Sequence, residues 1–279
     1  MKPPFRYPGG KSKLAKVIVP QLEKMAFGHN CTEYREPFFG GGGIGLDLLF
    51  GWMPTKGAWL NDLDVGIACL WLTVFSFPKE LKELILQYHP KVADFDKIKK
   101  ELQGLSQVPS DKAAQIDIGF KKLVIQQISY CGLGTQAGGP QGGQKQNICT
   151  VNHRWSPKSI CKRIDWANFV LSRQDIPYGV FSCSDFSHLL APSDQKILVY
   201  LDPPYYEHGD EMYPIEFSEA DHLRMAGLLR ETKHTWLLSY DDCKEVRELY
   251  TWAKIESLPV KYTISGVTSK REVLISSHA

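Results

Sequence analysis

The chain has 279 residues, of which 43% are apolar and 23% are charged, and its formal net charge is +2. This composition is typical of a soluble globular protein, and the length allows an α/β core with a smaller second module. No apolar run is long enough to cross a bilayer, which excludes a membrane-spanning chain, and we expect no signal peptide. The seven cysteines include no Cys-x-x-Cys pair, which argues against a metal site and predicts reduced thiols in the cytoplasm.

The charges are distributed unevenly along the chain. Residues 118–164 contain no Asp or Glu, whereas all 31 acidic residues and 26 of the 33 basic ones lie outside this acid-free run. Its basic residues are Lys121, Lys122, Lys145, Arg154, Lys158, Lys162 and Arg163. Such segregation predicts a surface that faces a polyanion, and a solvated basic face is the alternative.

The amino-terminal segment carries Gly9-Gly10-Lys11-Ser12, which is similar to the end of a phosphate-binding P-loop. A P-loop also needs a glycine at the position of Phe5 and a strand before it, and the sequence offers neither. We therefore reject a P-loop nucleotide triphosphatase. A helix is predicted after Ser12, because apolar residues recur there at helical spacing.

A glycine-rich loop lies between the first predicted strand and a helix that continues through Phe50. The glycines, residues 40–43, follow Glu36-Pro37-Phe38 and would let the backbone come close to a cofactor. A second predicted strand leads into Asn61-Asp62, about 20 residues further on, where Rossmann-type folds place a ribose-binding acid. This pattern predicts a nucleoside-cofactor site and leaves NAD and S-adenosylmethionine open.

The middle of the chain is predicted to be helical. After a helix over residues 65–75, three amphipathic helices follow in residues 81–88, 95–105 and 116–128. Six glycines within residues 132–143 then predict a mobile loop, with a plain linker as the alternative. Side chains suited to phosphates and base edges lie on both sides of this tract. The predicted DNA contacts are Lys121, Lys122, Asn152, Arg154, Trp155 and Lys158.

An apolar strand, residues 197–201, is predicted to end at Asp202, because Pro203 and Pro204 cannot donate to a sheet ladder. The carboxylate is thereby left at the carboxyl end of a strand, where open α/β sheets bind ligands. Asp-Pro-Pro-Tyr suits methylation of an exocyclic amine, with Asp202 and the Pro203 carbonyl as acceptors and Tyr205 as a stacking surface for a flipped base. An ordinary strand-ending turn is the alternative.

Asp185 and Phe186 follow another short predicted strand. A carboxylate beside an aromatic ring suits the rim of an adenine. Capping of a short helix over residues 187–190 by Asp185 is an equally good interpretation.

The carboxyl-terminal part is predicted to contain a loop over the substrate, a capped helix, a strand and a hairpin. These elements occupy residues 206–217, 218–233, 235–239 and 254–276. Asp241 or Asp242 is predicted to cap one more helix. The hairpin loop, residues 265–270, is either a phosphate contact or a simple turn.

Seven motifs in this order resemble the Dam-type DNA adenine N6-methyltransferases, in which the cofactor motif comes first, target recognition second and Asp-Pro-Pro-Tyr third. They are Tyr7-Pro8-Gly9-Gly10-Lys11, Glu36-Pro37-Phe38, Asn61-Asp62, Ser184-Asp185-Phe186, Asp202-Pro203-Pro204-Tyr205, Ser239-Tyr240 and Glu272-Val273-Leu274-Ile275. The resemblance implies an α/β fold with a Rossmann-like S-adenosylmethionine-dependent methyltransferase sheet and a helical, basic target-recognition insert. Residues 1–75 and 166–279 would form the catalytic domain, and residues 76–165 the insert.

The same resemblance implies S-adenosylmethionine as methyl donor and double-stranded DNA as substrate, in the cytoplasm of a bacterial or phage-infected cell. It leaves open a cognate restriction endonuclease as partner. The implied catalytic residues are Asp202, Pro203, Pro204 and Tyr205. The predicted cofactor residues are Tyr7, Lys11, Glu36, Phe38, Gly40, Gly41, Asp62, Asp185, Phe186 and Asp202.

Other activities explain less of the sequence. Cytosine N4-methylation would use the same acceptors, and Asp rather than Ser at position 202 favours adenine. An NAD-dependent oxidoreductase would leave Asp-Pro-Pro-Tyr and the acid-free run unexplained. Many relatives carry an aromatic segment where this chain has Gly132-Leu133-Gly134-Thr135, so the recognition sequence stays open.

Overall fold

The computed structural model describes residues 2–146, 149–173, 181–206, 215, 217–258 and 272–277. Seven β-strands form one sheet at its centre. They are β1 (Glu33–Glu36), β2 (Ala58–Asn61), β3 (Phe181–Ser182), β4 (Ile197–Leu201), β5 (Thr235–Asp241), β6 (Lys254–Leu258) and β7 (Glu272–Ser276).

The strand order is β3-β2-β1-β4-β5-β7-β6. The first five of these strands are parallel to one another, and β7 runs antiparallel to both β5 and β6. In register, Tyr34 of β1 lies between Ala58 and Leu198. The chain order reverses between β1 and β4, so the carboxyl ends of these two strands border the crevice in which doubly wound sheets bind ligands.

Ten α-helices are described. They are α1 (Ala15–Gly28), α2 (Gly45–Gly51), α3 (Val65–Ser76), α4 (Pro78–Gln87), α5 (Val92–Leu102), α6 (Lys112–Ile128), α7 (Pro157–Ser172), α8 (Ser187–Leu190), α9 (Glu219–Glu231) and α10 (Lys244–Leu249). Short 3₁₀ turns occur at Lys11–Lys13, Tyr130–Gly132, Gly134–Gln136 and Val151–Arg154. The three predicted amphipathic helices are confirmed as α4, α5 and α6.

Helices cover both faces of the sheet, as the absence of polar residues in β4 requires. Leu198 and Tyr200 of β4 belong to the hydrophobic cluster that contains α1 to α7. The alternating residues Ile197, Val199 and Leu201 belong to a second cluster with α9 and α10. All five residues of β4 are buried, so the strand that carries Asp202 is held firmly from both sides.

The helices of the predicted insert share the first of these clusters with the sheet. Gly119 of α6 allows close contact with α3, because a β-carbon there would lie 2.8 Å from Thr73 Oγ1 and 2.9 Å from the Cys69 carbonyl oxygen. The division into a catalytic domain and an insert stays a prediction. Its second boundary, after residue 165, falls inside the continuous helix α7.

The glycine-rich tract differs from its prediction as a mobile loop. Gly134 and Thr135 are buried, and the backbone N–H of Gly134 donates to Ser129 Oγ. Gly132 and Gly134 have φ angles of +76° and +61°, and a β-carbon on Gly134 would lie 1.8 Å from Gln126 Oε1. Gly132 and Gly134 therefore serve left-handed turns, and Gly134 also packs closely against α6.

Three features of the carboxyl-terminal part were predicted, two of them correctly. Ser218 and Asp221 form the predicted capping box at the start of α9, and β6 with β7 forms the predicted hairpin. The cap of α10 was predicted wrongly: its N-cap is Cys243, while Asp242 pairs with Arg247. The hairpin loop, residues 265–270, and most of the loop over residues 206–217 lie outside the described residues.

All seven cysteines fall in the described part of the chain and are free thiols, as predicted. No described helix is both long enough and apolar enough to cross a membrane.

Candidate active site

A deep pocket opens at the switch point, where β1 ends at Glu36 and β4 is followed by Asp202. Every residue predicted to contact the cofactor lines this pocket, although these residues come from five separate parts of the sequence. The glycine loop forms one wall, and the segment after β4 forms another. The parallel strands bring these segments together because their carboxyl ends meet at one edge of the sheet.

Asp202 is held by two donors that both reach the same carboxylate oxygen. Lys11 Nζ lies 2.6 Å from Asp202 Oδ1, and Ser239 Oγ donates to the same oxygen at 2.9 Å. Lys11 is buried, whereas the Asp202 side chain keeps 18% of its exposure. Tyr200 lies within hydrogen-bond distance of Ser239 Oγ, at 2.9 Å, and completes the support behind the carboxylate. The carboxylate plane is therefore fixed, and no described residue donates to Oδ2.

Tyr205 is buried, with 8% of its surface exposed. Its hydroxyl donates to Glu272 Oε1 at 2.8 Å, and Lys11 Nζ lies 4.8 Å from the ring centroid. Burial raises the pKa of Glu272, whose other oxygen has no partner among the described residues. One face of the tyrosine ring is thus already covered by a cation, and stacking of a base on this ring stays a prediction. Of the two prolines, Pro204 lines the pocket and Pro203 is buried.

Gly40 and Gly41 of the loop are required for packing against Tyr7, as well as for the close approach of a cofactor. Gly40 has a φ of +49°, and a β-carbon there would lie 2.6 Å from Tyr7 Cε1. At Gly41, a β-carbon would lie 2.8 Å from Tyr7 Cβ. The loop and the ring of Tyr7 are therefore packed directly together at the mouth of the pocket, and neither position accepts a larger residue without displacing the ring.

Asp62 lies at the end of β2 and is tied to two backbone segments. Its Oδ2 accepts the Gly40 N–H at 2.8 Å, and its Oδ1 accepts the Asp64 N–H at 2.9 Å. Burial and the neighbouring Asp64 carboxylate raise the pKa of Asp62 to about 7, against the opposing effects of these N–H donors and of Lys122. The preceding residue, Asn61, joins three strand ends through bonds to the carbonyls of Pro37 and Ser184.

We expect binding of S-adenosylhomocysteine, the demethylated cofactor, to weaken as the pH falls from about 8 to about 6. The ribose hydroxyls would donate to Asp62, and below about pH 7 this carboxyl binds a proton that the ligand must displace, at a cost of up to about tenfold per pH unit. Calorimetry of the wild type and of Asp62→Asn checks this. The variant should bind S-adenosylhomocysteine weakly, and its affinity should not change with pH. A flat wild-type profile would contradict ribose binding by Asp62.

An aromatic cluster forms the far end of the pocket. Phe38, Phe186 and Phe217 have ring centroids 5.6 to 5.7 Å apart. Beside them, Asp185 Oδ1 accepts the Ser187 N–H at 3.0 Å at the start of α8, although the N-cap of this helix is Phe186 and not the predicted Asp185. Asp185 also forms a two-pronged ion pair with Arg224. The two interpretations of Asp185 are thus compatible, because the same carboxylate stabilises the helix start and borders the pocket.

Three predicted DNA contacts lie in unsuitable environments. Lys122 is buried and paired with Asp64, and Trp155 is buried with its Nε1–H donating to the Tyr88 carbonyl oxygen. Lys121 pairs with Glu101 and Asp117. Residues of the acid-free run therefore do have acidic neighbours in the structure, because Asp64 at the start of α3 and Glu101 of α5 pair with lysines of α6. We withdraw Lys122 and Trp155 as DNA contacts, and the charge of Lys121 is largely offset.

The other predicted contacts, Asn152, Arg154 and Lys158, are exposed beside a groove that we call the basic groove. The basic side chains that line it are Lys2, Arg6, His153, Arg154, Lys162 and Arg163. None of them pairs with a carboxylate in the described part of the chain. Burial and the neighbouring Arg154 guanidinium lower the pKa of Arg6, so these cations lie close enough to repel one another. Arg6 lines the groove and the next residue, Tyr7, lines the pocket, so the groove and the pocket lie close together.

Two residues at the site were missed as participants by the sequence interpretation. Ser239 was recognised as part of a motif, and its position at the carboxyl end of β5, next to β4, could have assigned it to Asp202. Arg224 lines the pocket, and its spacing of three residues from Asp221 is explained locally by an ion pair on the surface of one helix. Nothing in the sequence connects it to Asp185.

The sheet with its antiparallel β7, the glycine loop and the acid after β2 define a Rossmann-like S-adenosylmethionine-dependent methyltransferase. A family model described as D12 class N6 adenine-specific DNA methyltransferase matches residues 7–264. The chain therefore belongs to this family, and the resemblance to Dam-type enzymes is confirmed. A search of curated proteins finds no match. The family uses S-adenosylmethionine to methylate adenine N6 in DNA, which confirms the predicted cofactor and reaction.

Proposed function

We propose that this chain methylates an adenine rotated out of duplex DNA, with Asp202 and the Pro203 carbonyl as acceptors for the two amine hydrogens. The observation that carries this proposal is the one-sided hydrogen bonding of Asp202. Lys11 and Ser239 occupy Oδ1, and Oδ2 is left for a donor that enters from the pocket. A carboxylate has acceptor capacity on both of its oxygens.

The chemistry follows from what these acceptors do to the amine. The lone pair of an adenine amine is delocalised into the ring, and two fixed acceptors favour a geometry in which it is localised on nitrogen. Bound S-adenosylmethionine would supply a methyl group on a sulfonium centre, and its sulfur would keep the electron pair of the broken carbon–sulfur bond. As the nitrogen gains this carbon it carries an extra proton, which passes to solvent, so no strong base is required. The residues contribute positioning and electrostatics.

DNA binding is assigned to the basic groove because it combines unpaired cations with proximity to the pocket. Arg154, Lys158 and Lys162 are exposed and suited to phosphates. Rotating a base out of the duplex costs a few kcal/mol, and phosphate contacts beside the pocket mouth help to offset this cost. Tyr205, fixed through its hydroxyl by Glu272, is proposed as the surface on which the base is held.

The test is to express the chain in a host that lacks adenine methylation and to sequence the DNA for modified bases. We expect N6-methyladenine at one recognition sequence. N4-methylcytosine would contradict the proposal, and so would unmodified DNA from cells that contain folded protein. Neither cytosine N4-methylation nor an NAD-dependent reaction gains support from the site or the family.

We place the reaction in the cytoplasm of a bacterial or phage-infected cell, where the DNA substrate lies. A cognate restriction endonuclease stays a prediction. It can be tested by digesting unmethylated DNA with an extract of the source cells and comparing DNA that this chain has methylated.

A further inference from the structure

Arg224 of α9 reaches across the far end of the pocket to Asp185. Its Nη1 lies 2.7 Å from Asp185 Oδ1 and its Nη2 lies 2.8 Å from Asp185 Oδ2. Two parallel bonds of this kind fix the plane of a carboxylate as well as its position. Both residues line the pocket, so the fixed carboxylate borders the space that a ligand would occupy.

Arg224 is itself held in place from two further directions. Its Nη2 donates to Asp221 Oδ1 at 2.9 Å, and Asp221 is anchored in the capping box with Ser218. The guanidinium also lies over the Phe186 ring, with Cζ 4.3 Å from the centroid. A long side chain with three restraints loses little further entropy when a ligand binds, which is what a preorganised site requires.

The consequence is a carboxylate that accepts hydrogen bonds and cannot donate them. The Arg224 guanidinium, followed by the hydroxyl and N–H of Ser187, holds the pKa of Asp185 well below its usual range. Oδ1 also accepts the N–H and the hydroxyl of Ser187, whereas Oδ2 accepts only from Arg224 among the described residues and keeps a second lone-pair direction for a ligand. A purine with an exocyclic amine offers a donor to such an oxygen, whereas a purine with a carbonyl at that position would bring two acceptors together.

We infer that Arg224 is a positioning residue that makes the pocket select adenine over hypoxanthine in its nucleoside ligand, by fixing Asp185 as an acceptor for the exocyclic amine. This inference rests on the proposed function and on the predicted binding of the cofactor adenine at Asp185 and Phe186. Arg224 would act on the ligand through Asp185, and the ion pair between these two residues would contribute to specificity.

The experiment measures dissociation constants of S-adenosylhomocysteine and of its analogue with hypoxanthine in place of adenine. For the wild type we expect the adenine ligand to bind about 10- to 100-fold more tightly, as expected for a ligand hydrogen bond to a charged group. Arg224→Gln should reduce this preference to about threefold or less, while Arg224→Lys, which keeps the charge without the fork, should fall between them. Unchanged preference in Arg224→Gln would overturn the inference.

Arg230→Gln is the matched control, because Arg230 is exposed on the same helix and lies outside the pocket lining. It should retain the wild-type preference, and a loss as large as that of Arg224→Gln would overturn the inference. Thermal unfolding of each variant separates a local effect from loss of the fold. Wild-type protein that binds neither ligand would refute the proposed function, whereas wild-type protein that binds both equally would refute the role of Arg224 alone.

Discussion

Replacing Arg154, Lys158 and Lys162 together with glutamine is expected to weaken binding of duplex DNA by about 10²-fold at about 0.1 M salt. Each phosphate contact adds about 0.9 to the slope of log affinity against log salt, so three lost contacts should lower the slope by between two and three. The three side chains are exposed, and their replacement should leave the fold intact. Titration of a labelled duplex at several salt concentrations gives both quantities.

The control triple variant changes the same charge at a distant place. Lys24, Lys56 and Lys196 are exposed, and the last two precede β2 and β4 at the edge of the sheet opposite the pocket. Their replacement by glutamine should leave the salt slope within about 0.5 of the wild-type value. Equal slopes for both triple variants would place the DNA elsewhere on the protein. We avoid Arg6 and Arg163 because both donate to backbone carbonyls, so their removal could disturb the fold.

Local sequence signals predicted the chain segments of the site well. Pro203 and Pro204 ended β4 as expected, and apolar periodicity located α4, α5 and α6. These signals succeed because they depend on backbone chemistry and on the spacing of residues within one element. The order of motifs then indicated which strand ends would meet, and the pocket at the end of β1 and β4 has the predicted composition.

Local sequence signals could not predict contacts between segments that are far apart in the sequence. Lys122 was interpreted as a surface cation, yet α6 is buried on several sides and the lysine pairs with Asp64, 58 residues earlier. Trp155 was interpreted as a base contact, and it packs against Tyr88 instead. The charge of a sequence segment does not determine which of its side chains are buried or which residues they pair with, because both depend on which helices pack together.

The same limit applies to the proposed specificity residue. Asp185 and Arg224 are 39 residues apart, and each had a sufficient local explanation, as a helix cap and as a partner of Asp221. Their combination at the pocket needs the packing of α9 against α8. Preorganised binding groups of this kind are assembled by tertiary structure, so sequence patterns name the acceptor and miss the residue that orients it.

Asp202→Ala is the substitution that we expect to have the largest effect on activity, a loss of about 10³-fold or more in the rate of methyl transfer. Binding of S-adenosylhomocysteine should change by less than about threefold, because Asp62 and the aromatic cluster remain. Removal of the carboxylate takes the charged partner at 2.6 Å away from the buried Lys11 ammonium, which destabilises the fold by roughly 3–5 kcal/mol. The double variant Lys11→Met with Asp202→Ala removes both charges and should recover stability without activity. Asp194→Ala, an exposed aspartate just before β4, is the matched control and should be fully active.

The most direct measurement of the central claim is single-turnover transfer of labelled methyl groups to DNA. It compares the wild type with Asp202→Ala, with the double variant Lys11→Met and Asp202→Ala, and with Asp194→Ala. Cofactor binding is measured on the same samples. The account predicts label in N6-methyldeoxyadenosine for the wild type and Asp194→Ala, and none above background for both variants that lack Asp202, although Asp202→Ala still binds S-adenosylhomocysteine. Transfer at more than about a tenth of the wild-type rate by folded protein without the Asp202 carboxylate would contradict it.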